Sequence, residues 1–284
     1  MRNKDRLLYI ARMLESSRFE VLPTATIEDK VLEGLPVGRT VTVTASPSQG
    51  LEATLSMAEK LSAHGYDTVP HIAARMVSGR SELKEIKSRL HDAGITTVFV
   101  PGGDQEPPAG DYGNALDLLH DLSQLGNPAL EVGITGYPET HPSISDDLTV
   151  QSMWDKRKHA SHVVSNLTFD PSLLGKWVSR MRARGLDLPV MLGVPGPIDR
   201  AKLLTMATKI GVGDSTRFLA KNKGIMARLA APGGFTGEKF LESSAEHMAK
   251  PSAHVIGLHL YTFNQVAATE KWRTDYLDRI TAQL

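Results

Sequence analysis

A carboxylate stands inside the first apolar run of the chain, RFEVLP at residues 18–23. Such a run is typical of a buried β-strand, and an ionised side chain at its centre is costly unless it is paired or used in chemistry. Glu20 is therefore the first candidate for a catalytic residue. The alternative is a structural ion pair between Glu20 and a lysine inside the fold.

Further polar side chains follow the later apolar runs, close to where each predicted strand ends. They are Thr44, His71, Asp104, Tyr137, Glu139, His141, Asn166, His259, Tyr261 and Asn264. Structural alternatives exist for some of them. His71 could be a core histidine with its hydrogen bonds satisfied, and Asp104 could cap its Gly-Gly-Asp turn. Asn166 is harder to explain in that way, because a buried amide needs several partners.

The elements that must position these residues follow from eight apolar runs rich in Val, Ile and Thr. The predicted strands cover residues 18–23, 40–45, 67–73, 97–102, 131–138, 162–169, 189–196 and 254–263. Most of these runs are almost continuously apolar, which is typical of parallel strands buried on both faces.

Helical patterns separate the strands, and several end at a glycine suited to a C-cap. The predicted helices cover residues 26–34, 51–65, 81–94, 114–126, 171–185, 198–211 and the last twenty residues. Strand followed by helix, eight times within 284 residues, predicts an α/β fold of the (β/α)₈ TIM-barrel type. A doubly wound open sheet is the rival architecture.

We expect a single barrel domain over residues 1–284, with an additional N-terminal helix at about 2–16. The long interval between the seventh and eighth strands predicts extra helices, within 219–230 and 236–250. In a barrel, the polar residues at the strand ends would meet on one rim, where barrel enzymes carry out their chemistry.

Composition excludes several classes of function. The chain has no cysteine, which rules out disulfides, thiolate metal sites and cysteine nucleophiles. Its 32 basic and 32 acidic residues balance, so there is no electrostatic reason to expect nucleic acid or an anionic membrane as a partner. Neither a signal peptide nor a membrane span is predicted, and we expect a cytoplasmic protein.

Sequence motifs exclude further chemistry. No GxGxxG follows a strand, no GxSxG elbow occurs, and neither HxH nor HExxH is present. We therefore predict no metal site. The segment GGFTGEK at 233–239 lacks the ending of a phosphate loop and is interpreted as a surface loop.

At the singled-out residues the chain resembles the methylenetetrahydrofolate reductase family, whose members are (β/α)₈ barrels. FEVLPT at 19–24 is similar to the family's FEFFPP, and YPETHP at 137–142 matches its YPExHP in full. PHIA at 70–73, GGD at 102–104 and SNLTFD at 165–170 stand where the family has PHLT, RGD and ITQxFFD. The last strand, HLYTFN at 259–264, resembles HFYTLN. The matches are in order and span nearly the whole chain.

The resemblance implies reduction of 5,10-methylenetetrahydrofolate to 5-methyltetrahydrofolate, a reaction of one-carbon metabolism and methionine biosynthesis. Glu20 would be the general acid that protonates N10 of the folate, which opens the five-membered ring to a 5-iminium cation. Its neighbours Phe19, Val21 and Leu22 would desolvate the carboxyl, so that it could keep a proton near neutral pH. Asp104 would bind the pterin and favour the cation.

Asn166 stands where the family has a pterin-binding glutamine, one methylene longer, so its contact would be remade through water or lost. Phe169 is carried over as a further substrate-binding residue.

The hydride source has two alternatives. Most family members use FAD between NAD(P)H and folate, and the positions that align with flavin contacts are Thr44, His71, Gly103, Tyr137, His141 and Lys156. GGD replaces RGD, so Gly103 supplies no cation for the flavin phosphates, and the TYG-like ending of strand two is also replaced. A divergent branch that lacks flavin is similar in these respects, which favours direct hydride transfer from NADH, or from NADPH, and makes FAD doubtful.

The expected partners are thus a folate and a nicotinamide nucleotide, with the oligomeric state open and a monomer compatible with the sequence. Two other classes of function stay open: a non-catalytic barrel that binds folate, and another barrel enzyme such as a lyase or aldolase.

Overall fold

The computed structural model describes residues 2–126, 130–138, 145–168, 171–197 and 237–284. Within these ranges the chain forms eight parallel strands with helices between them. The strands are β1 (Ser17–Val21), β2 (Thr40–Val43), β3 (Asp67–Pro70), β4 (Thr97–Phe99), β5 (Glu131–Gly136), β6 (His162–Ser165), β7 (Val190–Pro195) and β8 (Val255–Tyr261).

The strands are arranged in the order β3-β2-β1-β8-β7-β6-β5-β4, and neighbouring strands in this order are parallel. A parallel bridge between His71 and Phe99 joins the ends of this series, and the Ile72 amide donates to the Phe99 carbonyl at 2.8 Å. The first strand therefore lies beside the eighth and the sheet wraps into a nearly closed barrel. The (β/α)₈ prediction is confirmed, and the doubly wound open sheet is wrong.

The described helices are α1 (Asn3–Glu15), α2 (Ile27–Gly34), α3 (Gly50–Ala63), α4 (Arg80–Asp92), α5 (Ala115–Gln124), α6 (Asp146–Lys156), α7 (Pro171–Ala183), α8 (Gly237–Met248) and α9 (Val266–Thr281). Short 3₁₀ turns lie at Ala74–Met76 and Pro251–Ala253. The predicted N-terminal helix is confirmed as α1, which packs against α8, α9 and β8. Among these helices, none is long and apolar enough to cross a membrane.

The predicted extra helices between β7 and β8 are confirmed in part. The 236–250 segment forms α8, whose buried face includes Phe240, Leu241 and Met248. The helices predicted at 198–211 and 219–230 lie outside the described residues.

Alternation along the strands divides the buried residues into two sets, because successive side chains point to opposite faces of a sheet. Phe19, Val21, Val41 and Val43 are fully buried in the large core between the strands and the helices. A second, small cluster of Val69, Phe99, Val164 and Met191 comes from β3, β4, β6 and β7 and fills the barrel interior. Since Phe19 and Val21 point outward, Arg18 and Glu20 point inward on the same strand.

Candidate active site

Glu20 lies against a histidine from the neighbouring strand. β1 pairs with β8 so that Glu20 is opposite Tyr261 and Arg18 is opposite His259. The two inward side chains meet diagonally, with His259 Nε2 at 2.9 Å from Glu20 Oε2. The His259 side chain is only 3% exposed, and that of Glu20 is 17% exposed. The structure therefore gives Glu20 a buried imidazole as its partner, in place of the lysine of the ion-pair alternative.

His71, from the end of β3, lies on the other side of the carboxyl. Its Nε2 is 3.9 Å from Glu20 Oε2, which is too long for a hydrogen bond. The ring packs against Phe99 with centroids 4.6 Å apart, and Nε2 has no partner among the described residues. Burial lowers the pKa of His71 to about 4, although the charge of Glu20 opposes the shift. His71 is therefore a neutral, buried imidazole at neutral pH.

The residues after β8 fix the backbone of β1 around Glu20. Thr262 Oγ1 donates to the Glu20 carbonyl at 2.6 Å. Asn264 uses both ends of its amide: Oδ1 accepts from the Leu22 amide at 2.8 Å and Nδ2 donates to the Leu22 carbonyl at 3.2 Å. Asn264 has a φ of 58°, a conformation that asparagine adopts more readily than most residues. This bracing holds the Glu20 backbone in place.

The expected cause of Glu20 desolvation is wrong for two of its neighbours. Phe19 and Val21 are fully buried, but they belong to the outer core and point away from the carboxyl. The reason is the two-residue period of a strand, which sends adjacent side chains to opposite faces. The walls around the carboxyl are instead the polar rings of His259 and His71.

Tyr261 lies next to His259 at the same end of the interior. Its ring meets that of His259 edge-on at 4.8 Å, and its hydroxyl donates to the Ser165 carbonyl at 3.1 Å. Burial raises the pKa of the Tyr261 hydroxyl well above its ordinary value, and the charges of Glu20 and Tyr137 raise it further. Tyr261 therefore stays a neutral hydrogen-bond donor. Tyr137 lies close enough to affect its pKa.

The loop that carries Asp104 is held to the chain after β3. The Ala74 amide donates to the Pro101 carbonyl at 3.0 Å, and the Arg75 amide donates to the Gly102 carbonyl at 2.9 Å. Gly103 has a φ of 86°, and a Cβ there would lie 2.9 Å from Ala73 Cβ, so this position requires glycine. Asp104 follows it and is exposed on the rim.

From the sequence, the missing flavin cation is attributed to Gly103, and this assignment is wrong by one residue. In GGD the arginine of RGD corresponds to Gly102, whereas Gly103 corresponds to the glycine of the motif. A Cβ at Gly102 would have no atom within 4 Å, so packing does not force the loss of the arginine.

The remaining predicted site residues differ in their burial and in their hydrogen-bond partners. Asn166 is half-buried and its Oδ1 accepts from the Leu167 amide at 2.8 Å, so that oxygen is used in its own turn. Thr44 Oγ1 is buried and has no partner among the described residues. Lys156 is buried at the end of α6, and this burial lowers the pKa of its amine to about 8. Glu139, His141 and Phe169 lie outside the described residues.

Two residues that contact Glu20 were not among the predicted site residues. The sequence marks His259 only as a polar residue of the last strand, and Thr262 only as part of the HLYTFN motif. The parity of β8 could have identified His259, because it lies two residues before Tyr261 and so shares its inward face. Thr262 carries no comparable signal, since its contact is with a carbonyl oxygen.

Comparison with known proteins identifies the family of the chain. Residues 25–273 match the family described as "Methylenetetrahydrofolate reductase". The chain belongs to the methylenetetrahydrofolate reductase family. The matched segment begins after Glu20, and it includes Asp104 and the end of β8.

Three relatives of the methylenetetrahydrofolate reductase family are similar to parts of the chain. Methylenetetrahydrofolate reductase 2 of Saccharomyces cerevisiae is 26% identical over 46% of this chain. Methylenetetrahydrofolate reductase (NADH) 1 of Arabidopsis thaliana is 28% identical over 62%, and methylenetetrahydrofolate reductase 1 of Schizosaccharomyces pombe is 26% identical over 45%. The matched segments span 23%, 32% and 22% of these relatives, respectively, or about a quarter to a third of their length.

Among solved structures, two of an oxaloacetate acetylhydrolase are similar, with TM-scores of 0.48 and 0.46 at 10% identity. They cover 84% and 87% of this chain and 92% and 95% of the other. This likeness bears on neither the chemistry nor the substrate.

Proposed function

We propose that the protein reduces 5,10-methylenetetrahydrofolate to 5-methyltetrahydrofolate, with Glu20 as general acid and NADH as direct hydride donor. The observation that carries the proposal is the position of Glu20. Its carboxyl points into the barrel from the end of β1, lies 2.9 Å from His259 and is still 17% exposed. A partly buried acid that the substrate can reach is what protonation of a ring nitrogen requires.

The acid step breaks one bond and forms another. The carboxyl of Glu20 gives its proton to N10 of the folate, the bond between N10 and the bridging carbon breaks, and the 5-iminium cation forms. Hydride addition to that carbon gives the methyl group. The overall reaction consumes one NADH and one proton for each folate reduced, and the proton enters through Glu20.

Other residues of the rim supply binding. Asp104 is exposed beside the mouth of the barrel, so its carboxylate can accept from the pterin N–H groups and favours the cation. Asn166 can offer its amide NH₂ to a pterin acceptor, because its hydrogen bond with a described residue, the Leu167 amide, uses the oxygen. Phe169 is proposed as an apolar contact on the basis of the family motif alone.

Direct transfer from NADH is supported by Gly102, because glycine there offers no cation to the phosphates of a flavin. The name of the Arabidopsis relative also specifies NADH for that protein. Because nicotinamide is itself a hydride donor, no second carrier is needed between it and the iminium carbon.

An FAD-dependent form of the same reaction is the second candidate. Thr44 Oγ1 and His71 Nε2 favour it, because both are buried polar atoms without a partner among the described residues and both align with flavin contacts. When bound, FAD would carry hydride between NADH and folate, and the remaining aligned positions are Gly103, Tyr137, His141 and Lys156.

The decisive experiment combines a spectrum with an assay. The purified protein is expected to lack the visible absorbance of a flavin and to oxidise NADH only when methylenetetrahydrofolate is present. Flavin absorbance, or activity that requires added FAD, would select the second candidate. Folate binding without NADH oxidation under either condition would show a non-catalytic folate-binding barrel.

A further inference from the structure

We infer that His259 is the positioning residue for Glu20: it holds Oε2 by a hydrogen bond and so leaves Oε1 as the oxygen that delivers the proton. This inference rests on the proposed function and deepens it. It concerns a residue two positions before Tyr261 on β8 whose side chain is almost completely buried.

The shortest distance from each imidazole to the carboxyl is to the same oxygen. His259 Nε2 lies 2.9 Å from Oε2, and His71 Nε2 lies 3.9 Å from the same atom. Within the described part of the chain, the hydrogen bond of the carboxyl is to Oε2, and Oε1 accepts none. Only the His259 distance is that of a hydrogen bond, so His259 and not His71 fixes the carboxyl.

The surroundings of the His259 ring determine which of its nitrogens carries the hydrogen. Nδ1 is buried and has no partner among the described residues. A hydrogen on Nδ1 would be a buried donor without an acceptor, whereas a hydrogen on Nε2 has the carboxyl as its acceptor. His259 is therefore the Nε2–H tautomer, and it donates to Oε2.

A consequence for the acid step follows from this tautomer. Because Oε2 accepts from His259, the acid proton of Glu20 is carried by Oε1. Bracing of the β1 backbone by Thr262 and Asn264 fixes the Cα of Glu20, and the His259 bond fixes the far end of its side chain. The carboxyl is thus held at both ends before the folate arrives, and such pre-positioning is worth a large factor in rate.

The first test compares two substitutions at His259. His259→Leu removes the donor and is expected to lower kcat about 10- to 100-fold with the KM for folate within about threefold. His259→Gln, whose amide nitrogen can reach the place of Nε2, is expected to recover most of that loss. His162→Gln is the control, because it changes another buried histidine of the interior and should leave kcat per folded molecule unchanged.

A double-mutant cycle separates positioning from packing. On a Glu20→Gln background, His259→Leu is expected to cause little further loss, because there is no acid left to position. Equal losses in both backgrounds, or an unchanged kcat in His259→Leu alone, would overturn the inference.

Nitrogen-15 NMR of the labelled full chain tests the tautomer without any turnover. His259 is expected to show a protonated Nε2 and an unprotonated Nδ1, and its signals should shift in Glu20→Gln. A protonated Nδ1 would contradict the inference even in an active enzyme. If the wild-type chain does not reduce folate, the proposed function fails, while the NMR result still decides whether His259 holds Glu20.

Discussion

The barrel interior has two charged ends, and a single strand supplies both charges. β1 directs Glu20 toward the C-terminal rim of the barrel and Arg18, two residues earlier, toward the opposite end. Each meets a buried histidine at 2.9 Å, His259 for Glu20 and His162 for Arg18. The apolar cluster of Val69, Phe99, Val164 and Met191 lies in the same barrel interior.

The two pairs differ in the direction of the hydrogen bond. Arg18 can only donate, so His162 Nε2 accepts from it and Nδ1 carries the hydrogen toward Ser161 Oγ at 2.9 Å. His162 therefore has partners on both ring nitrogens. Among the described residues, His259 has a hydrogen bond only with the carboxyl, and one oxygen of Glu20 accepts no hydrogen bond. Polar groups are satisfied at the Arg18 end and left available at the Glu20 end.

The histidines also show how burial and charge combine. Burial dominates at both ends and lowers the pKa of His162 to about 3 and that of His71 to about 4. The charge of β1 acts in opposite directions, because Arg18 lowers the pKa of His162 further and Glu20 raises that of His71. Both rings are neutral at neutral pH, one held as structure and the other placed beside an acid.

The largest expected effect is the loss of catalysis on removal of the acid. Glu20→Gln should lower kcat at least about a hundredfold, because the amide cannot protonate N10. Steady-state NADH oxidation measures the rate, and chemical denaturation should show a stability close to that of the wild type. A near-normal rate would contradict the proposal that the Glu20 end of the barrel is catalytic and the Arg18 end structural.

The neutral histidines predict a dependence of stability on pH. Their pKa values are lower in the folded than in the unfolded state, so the unfolded chain binds more protons between about pH 6.5 and about 4. The unfolding free energy should therefore fall as the pH falls through this window, by about 1.4 kcal/mol per pH unit for each histidine.

Denaturation curves across this window measure that slope. His71→Gln and His162→Gln should each make it shallower, because glutamine does not titrate. A slope that neither substitution changes would show that folding does not lower the pKa values of these two histidines.

Removing the other charge should affect stability and leave catalysis unchanged. Arg18→Met deprives His162 Nε2 of its donor and is expected to cost about 1–3 kcal/mol of unfolding free energy, with kcat per folded molecule within about twofold.

Arg39→Met is the matched control for Arg18→Met. Arg18 and Arg39 both line an open depression of about 250 Å³ at this end of the barrel. Arg39 differs in its partner, because its ion pair with Glu270 has a distance of 3.6 Å. The control should cost less than about 1 kcal/mol. A large loss of kcat in Arg18→Met would contradict the division of roles between the ends.

The smallest effect concerns the loop that presents Asp104 on the catalytic rim. Gly103→Ala should cost about 1–2 kcal/mol, because alanine is strained at a φ of 86° and its Cβ meets Ala73. Gly102→Ala, one residue earlier in open space, should change stability by less than about 0.5 kcal/mol. Thermal denaturation of the two variants provides the comparison, and equal stabilities would contradict the proposed constraint at Gly103.

The sequence alone determined the strands and the fold class, and it identified Glu20 as a candidate acid. All eight predicted strands are present, and each ends earlier than predicted, so that residues such as His71 and Asn166 lie just beyond the regular strands. Apolar runs with turn signals at their ends are a local property, so they can be identified without the fold. The order of the family motifs likewise depends on the sequence alone.

Only the tertiary structure decided what surrounds the charges of β1. Closure of the sheet brings β8 beside β1 and so places His259, 239 residues away, against Glu20. The pairing of Arg18 with His162 spans 144 residues and crosses the barrel interior. Glu20 and Arg18 are equally conspicuous in the sequence, but the partners that distinguish an available acid from a satisfied structural cation come from strands that meet only when the barrel closes.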